Sequence, residues 1–78
     1  MKNKLTKEQI QLMKDDITTE LVGFLIDEFH FSIAEALDTL YTSETYDRLQ
    51  DGSTGFYYQS PAYVYSFLSN EVKTGVVS

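Results

Sequence analysis

Residues 54–68 read TGFYYQSPAYVYSFL, and this stretch decides the fold. Gly55 permits the positive φ of a tight turn, and Ser60-Pro61 is typical of a helix N-cap followed by proline at the first helical position. Aromatic residues favour extended structure, so we expect a short extended aromatic segment between these two signals. A final helix should then run from Pro61 to about Lys73, with Tyr63 off its apolar face. That face is predicted to be Val64, Tyr65, Phe67, Leu68 and Val72.

The first helix is predicted from a capping box, Thr6-Lys7-Glu8-Gln9, and should run to about Phe29. A restart at Asp15-Asp16 is the alternative, but we favour one continuous helix. Gly23 lies in its second half, where it is either a tolerated glycine that weakens the helix or the sign of a close approach by another backbone. Apolar residues recur at helical spacing along one stripe: Ile10, Met13, Ile17, Leu21, Phe24 and Leu25.

Two further helices are expected between this helix and the aromatic stretch. A second capping box, Ser32-Ile33-Ala34-Glu35, opens the first of them, and a short helix should follow from Glu44 to Gln50. The inner face of the helix opened by Ser32 is predicted from its spacing to be Ile33, Ala36, Leu37, Leu40 and Tyr41. The chain is therefore predicted to be all-α, a compact bundle of three or four helices with a short extended aromatic segment before the last helix. It should form one domain over 1–78, with flexible ends at 1–5 and 75–78.

The composition is acidic and lacks cysteine. The net charge is −6, and the absence of cysteine excludes disulfides and thiolate metal sites. Because an acidic surface repels phosphate backbones, we expect no nucleic-acid binding. The sequence has neither a bilayer-length apolar run nor a signal-peptide core, so we expect a cytoplasmic protein without a membrane partner. Small domains often gain stability by self-association, so a homodimer is expected.

No catalytic set is recognisable in the sequence. There is one histidine and no Gly-rich phosphate loop or nucleophile elbow, so we predict a protein that is not an enzyme and uses no cofactor. The alternative is a metal-binding protein or enzyme that uses Asp27 and His30, three residues apart on a helix, together with Glu20. A further alternative is a nucleic-acid mimic whose acidic face occupies a basic groove.

Glu28 falls within the apolar stripe of the first helix. If its carboxylate were buried it would need a partner, and Arg48 is the cation available in the middle of the chain. We favour the other interpretation, in which the helix end leaves Glu28 in water.

The aromatic residues are the strongest functional lead. Tyr57 and Tyr58 are adjacent, so an extended backbone would turn one inward and the other outward. Tyrosine is enriched at binding surfaces because it combines a large contact area with a polar tip. The alternative is a small core built from tyrosine. We predict an interaction protein that binds a protein partner or dimerises, with the following candidate partner-binding residues: Phe56, Tyr57, Tyr58, Tyr63 and Tyr65.

Three blocks of the sequence resemble a family of small uncharacterised bacterial proteins. They are SIAEAL at 32–37, SETY at 43–46 and TGFYYQSPAYVY at 54–65, of which the last is the most specific. Members of this family are sometimes encoded beside an ADP-ribosyltransferase-like toxin. The resemblance therefore implies an accessory or antitoxin-like partner, and it assigns no catalytic residues.

Overall fold

The computed structural model describes residues 6–74. This part of the chain contains four α-helices, two short 3₁₀ helices and no strand, so the all-α prediction is confirmed. The predicted flexible ends, 1–5 and 75–78, lie outside the described residues. The elements in chain order are α1 (Lys7–Phe29), α2 (Ile33–Tyr41), α3 (Glu44–Gln50), the 3₁₀ helices Gly52–Thr54 and Phe56–Tyr58, and α4 (Pro61–Thr74).

Side-chain caps fix where the helices begin. Both predicted capping boxes are formed; in the second, the Glu35 N–H donates to Ser32 Oγ at 3.1 Å while the Ser32 N–H donates to Glu35 Oε1 at 2.8 Å. At the start of α4, the Tyr63 N–H donates to Ser60 Oγ at 3.2 Å, immediately before the proline. The interpretation of α1 as one continuous helix is confirmed.

One hydrophobic core joins the described helices. α1 packs against both α2 and α4. Each fully buried leucine contributes about 1.5–3 kcal/mol through its removal from water. The buried apolar residues are Ile17, Leu21, Leu25, Ala36, Leu40, Leu49, Phe56, Val64 and Leu68.

The predicted extended aromatic segment is wrong, because residues 56–58 form a 3₁₀ helix. Gly55 has φ +74°, and this left-handed residue turns the chain so that the Tyr58 N–H reaches the Gly55 carbonyl at 3.3 Å. The Gln59 N–H likewise donates to the Phe56 carbonyl at 3.1 Å. These local bonds satisfy backbone groups that a lone extended segment, lacking a partner strand, would leave unpaired.

Gly23 is a tolerated glycine and does not mark a close backbone approach, so the first of the two interpretations is correct. A Cβ atom at this position would meet nothing within 4 Å. Gly23 is exposed on α1, where it lowers helix stability without making room for a neighbour.

The predicted inner face of α2 is only partly correct. Ala36 and Leu40 are fully buried, but Ile33 is 66% exposed and Tyr41 is 52% exposed. Helical spacing shows which residues share a face, whereas the extent to which neighbouring helices cover that face depends on how the helices dock. Here the neighbours cover one edge of the apolar face and leave the other edge in water.

Candidate functional site

The structure divides the five predicted partner-binding residues between the surface and the core. Tyr58 is 61% exposed and Tyr63 is 48% exposed. Phe56 is buried, and Tyr57 and Tyr65 are half-buried against the core. Of the adjacent tyrosines, one is thus turned inward and one outward, as the sequence predicts, although the backbone between them is 3₁₀ and not extended.

An aromatic patch is formed by Phe56, Tyr63 and Phe67. The rings of Tyr63 and Phe67, one turn apart on α4, have centroids 5.3 Å apart in an edge-on arrangement. Both rest on Phe56, at 6.3 Å from Tyr63 and 5.4 Å from Phe67. The sequence assigns Phe67 to the apolar face of α4, yet it is 38% exposed. Its spacing of four residues from the outward Tyr63 is the signal that places it in the patch.

A groove of about 200 Å³ between α3 and α4 adjoins this patch. Arg48 and Glu44 face each other at 3.9 Å, and their side chains are 50% and 72% exposed, so the pair is loose. The groove therefore carries both charge signs at its rim. Its lining residues are Glu44, Thr45, Arg48, Phe67, Asn70, Glu71 and Thr74.

Charged side chains from α1 and α4 hold the two ends of α3. The Glu44 N–H at the N-terminus donates to Glu71 Oε2 at 2.7 Å. At the C-terminus, Lys14 Nζ donates to the Gln50 carbonyl at 2.8 Å. An anion at the first turn and a cation at the last turn both complement the helix dipole, so α3 and the groove beside it have a fixed position.

Glu28 is bound by α4, and Arg48 is not its partner. Glu28 Oε1 accepts hydrogen bonds from the Tyr65 hydroxyl and from Ser69 Oγ, the latter at 3.1 Å. Its other oxygen lies 3.0 Å from Lys73 Nζ. One third of the Glu28 side chain remains exposed, which agrees with the favoured expectation that the helix end leaves this carboxylate in contact with water.

Hydrogen bonding and burial shift the acidity of this cluster in opposite directions. The Tyr65 hydroxyl, followed by the Lys73 ammonium, holds the pKa of Glu28 below its usual value. Burial, followed by the hydrogen bond to Glu28, raises the pKa of Tyr65 well above its usual value. Glu28 therefore stays ionised, with partners for both carboxylate oxygens, and Tyr65 stays a neutral phenol. This arrangement links α1 to α4 and is less suited to proton transfer.

The metal alternative is not supported by the positions of its residues. His30 is the left-handed C-cap of α1, with φ 59°, and both Asp27 and Glu20 are exposed on that helix. Within the described chain, no three His, Asp or Glu side chains come together in a way that could hold a metal ion.

Comparison with known proteins gives no match: no protein-family model, curated protein or solved structure is significantly similar to this chain. None of the described helices combines the length and the apolar character needed to span a bilayer. The fold and its surfaces thus define a small all-α protein with an aromatic patch beside a groove of mixed charge.

Proposed function

We propose that this chain is a non-enzymatic, cytoplasmic interaction protein that forms a homodimer through the aromatic patch. The observation that carries this proposal is the pair of outward rings, Tyr63 and Phe67, supported from below by Phe56. Aromatic side chains of this kind provide most of the binding energy at protein interfaces. Rings already held by a buried neighbour lose little conformational freedom on binding.

The charges beside the patch suit a second copy of the same chain. Arg48 and Glu44 lie at the rim of the groove, and their mutual contact at 3.9 Å is weak. In a two-fold dimer each surface contacts its own copy, so Arg48 of one subunit can pair with Glu44 of the other, and the reverse. A surface carrying both signs is therefore self-complementary, which a purely acidic surface would not be.

The family resemblance adds a role for the assembled protein. The 54–65 block that carries the most specific part of the resemblance includes Phe56 and Tyr63 of the patch. On this basis we propose an accessory or antitoxin-like function, in which the dimer binds a protein partner and performs no chemistry itself.

The homodimer is tested by analytical ultracentrifugation of the intact chain and of Tyr63→Ser/Phe67→Ser. The native chain should sediment as a dimer at micromolar concentration, and the double variant should weaken dimerisation at least tenfold. Tyr41→Ser is the matched control, since Tyr41 is a similarly exposed tyrosine on α2. A native monomer, or equal dimerisation in both variants, would refute the proposal.

Charge reversal keeps the test decisive if the aromatic variants fold poorly. Arg48→Glu places two acids at the rim and should weaken the dimer, whereas the swapped variant Glu44→Arg/Arg48→Glu should restore it. If the swap does not restore dimerisation, reciprocal pairing across the two-fold axis is wrong. Circular dichroism of each variant confirms that the helices are intact.

A further inference from the structure

A second apolar surface lies on α2, away from the aromatic patch. Ile33, Leu37 and Tyr41 are four residues apart, so they form one stripe along the helix, and Ala34 widens it. Ile33 is 66% exposed and Tyr41 is 52% exposed, while Leu37 is half-buried. We call these four residues the α2 surface. Contiguous exposed apolar residues of this kind are typical of an interaction site, in contrast to isolated exposed side chains.

The charge around the α2 surface is of one sign. Asp38 lies four residues after Ala34 and three before Tyr41, so it borders the stripe, whereas Glu35 lies on the opposite side of the helix and accepts the Ser32 N–H. The Tyr41 ring contacts that of Tyr46 at 5.1 Å. Burial, then Tyr41, and then the carboxylate of Asp15 raise the pKa of Tyr46, so Asp15 is a second acid on this side.

Within residues 6–74, neither ion pair involves these acids. The sequence contains no lysine or arginine between Asp15 and Asp47. Lys7 lies in the first turn of α1, about 12 Å along the helix axis from Asp15. The other cations of the described chain lie elsewhere: Lys14 donates to the Gln50 carbonyl, Lys73 pairs with Glu28, and Arg48 lies beside Glu44 at the rim of the groove.

We infer that the α2 surface binds a basic amphipathic helix of another protein. The apolar stripe from Ile33 to Tyr41 is about 12 Å long, which matches anchors at i, i+3 or i+4, and i+7 on a partner helix. Lysine or arginine beside those anchors would complement Asp38 at the edge of the stripe. A second copy of this chain does not fit, because the same acids would face each other across the interface. This inference does not depend on the proposed homodimer.

The inference is tested with a defined probe, a fluorescent, end-capped Leu/Lys peptide of about four helical turns with leucine at i, i+3, i+4 and i+7. Two further peptides carry glutamate in place of lysine, or the same Leu/Lys composition in scrambled order. Fluorescence anisotropy should show that the ordered Leu/Lys peptide binds the protein and that the acidic and scrambled peptides do not. Its affinity should fall about threefold or more between 50 and 300 mM NaCl, since salt screens the acidic rim.

Variants locate the binding to α2. Ile33→Ser/Tyr41→Ser should lower the affinity for the ordered peptide at least tenfold. Asp38→Asn should also lower it, and by more than Glu8→Gln, a control that removes one negative charge at the far end of α1. Leu12→Ser is the apolar control, because Leu12 is 62% exposed on α1 and lies outside the α2 surface; it should bind normally.

Three results would overturn the inference. The first is that the scrambled or acidic peptide binds as tightly as the ordered Leu/Lys peptide. The second is that Ile33→Ser/Tyr41→Ser binds the ordered peptide with unchanged affinity. The third is that this variant loses self-association but keeps peptide binding. Tyr63→Ser/Phe67→Ser should bind the peptide normally. Failure of the homodimer in that variant, with peptide binding retained, therefore separates the two proposals.

Discussion

Glu71 on α4 is joined to Thr45 on α3 by two hydrogen bonds, because the Thr45 N–H and hydroxyl donate to one carboxylate oxygen at 3.2 and 2.8 Å. The other oxygen accepts the Glu44 N–H. A seven-residue helix is too short to be stable by itself. The first turn of α3 is therefore capped twice: locally by the N-cap residue Ser43, and from α4 by Glu71, which is 26 positions beyond Thr45.

Removing this tertiary cap should destabilise the protein measurably. Glu71→Ala leaves two backbone donors of α3 without their acceptor, so we expect the free energy of unfolding to fall by about 1–2 kcal/mol. Glu71→Gln should lose less, because its amide oxygen can still accept. Urea unfolding measures the change, with Glu20→Ala on the exposed side of α1 as the control. Equal stability of Glu71→Ala and the control would contradict the capping role.

The two glycines Gly23 and Gly55 should respond to alanine in opposite directions. Gly23 faces open space in a helix, so Gly23→Ala should raise the free energy of unfolding by about 0.5–1 kcal/mol. Gly55 has positive φ, and its added Cβ would lie 2.9 Å from the Tyr58 hydroxyl oxygen, so Gly55→Ala should cost about 1–3 kcal/mol. Thermal and urea unfolding test both, and a destabilised Gly23→Ala would show that another surface packs there.

Stability should fall in acid through Glu28. Its pKa is lowered in the folded protein, so its contribution is present above the unfolded value of about 4.3 and is lost as the pH falls through the lower folded value. Glu28→Gln should thus be less stable at pH 7 and lose less stability between about pH 5 and pH 3. Urea titrations across that range measure this, and identical pH profiles for native and variant chains would contradict it.

Metal ions should not affect folding. Because Asp27, His30 and Glu20 are not gathered into a cluster, we expect a chelator to leave the unfolding midpoint unchanged and His30→Ala to bind no less zinc than the native chain. Thermal unfolding with and without chelator, followed by elemental analysis, checks this. Stoichiometric metal in the purified protein, lost in His30→Ala, would favour the metal-binding alternative.

The candidate surfaces could be predicted only in part. The sequence places Tyr63 off the apolar face of the last helix and predicts that one of Tyr57 and Tyr58 faces outward without deciding which; Tyr63 and Tyr58 are exposed. It places Phe67 and Ile33 inside, because a helical wheel shows which residues share a face but not how far a neighbouring helix covers it. It offers Arg48 as the partner of Glu28 only if that carboxylate is buried, whereas docking of α4 on α1 brings Lys73, 45 positions away, to it.

The sequence by itself determined where the four α-helices begin, because capping boxes, the Ser60-Pro61 signal and apolar spacing act within a few residues of each other. It also determined that the protein is acidic and all-α. Only the tertiary structure decided which apolar side chains stay in water and which charges meet. Those outcomes depend on the docking of helices far apart in the chain, which no local pattern encodes.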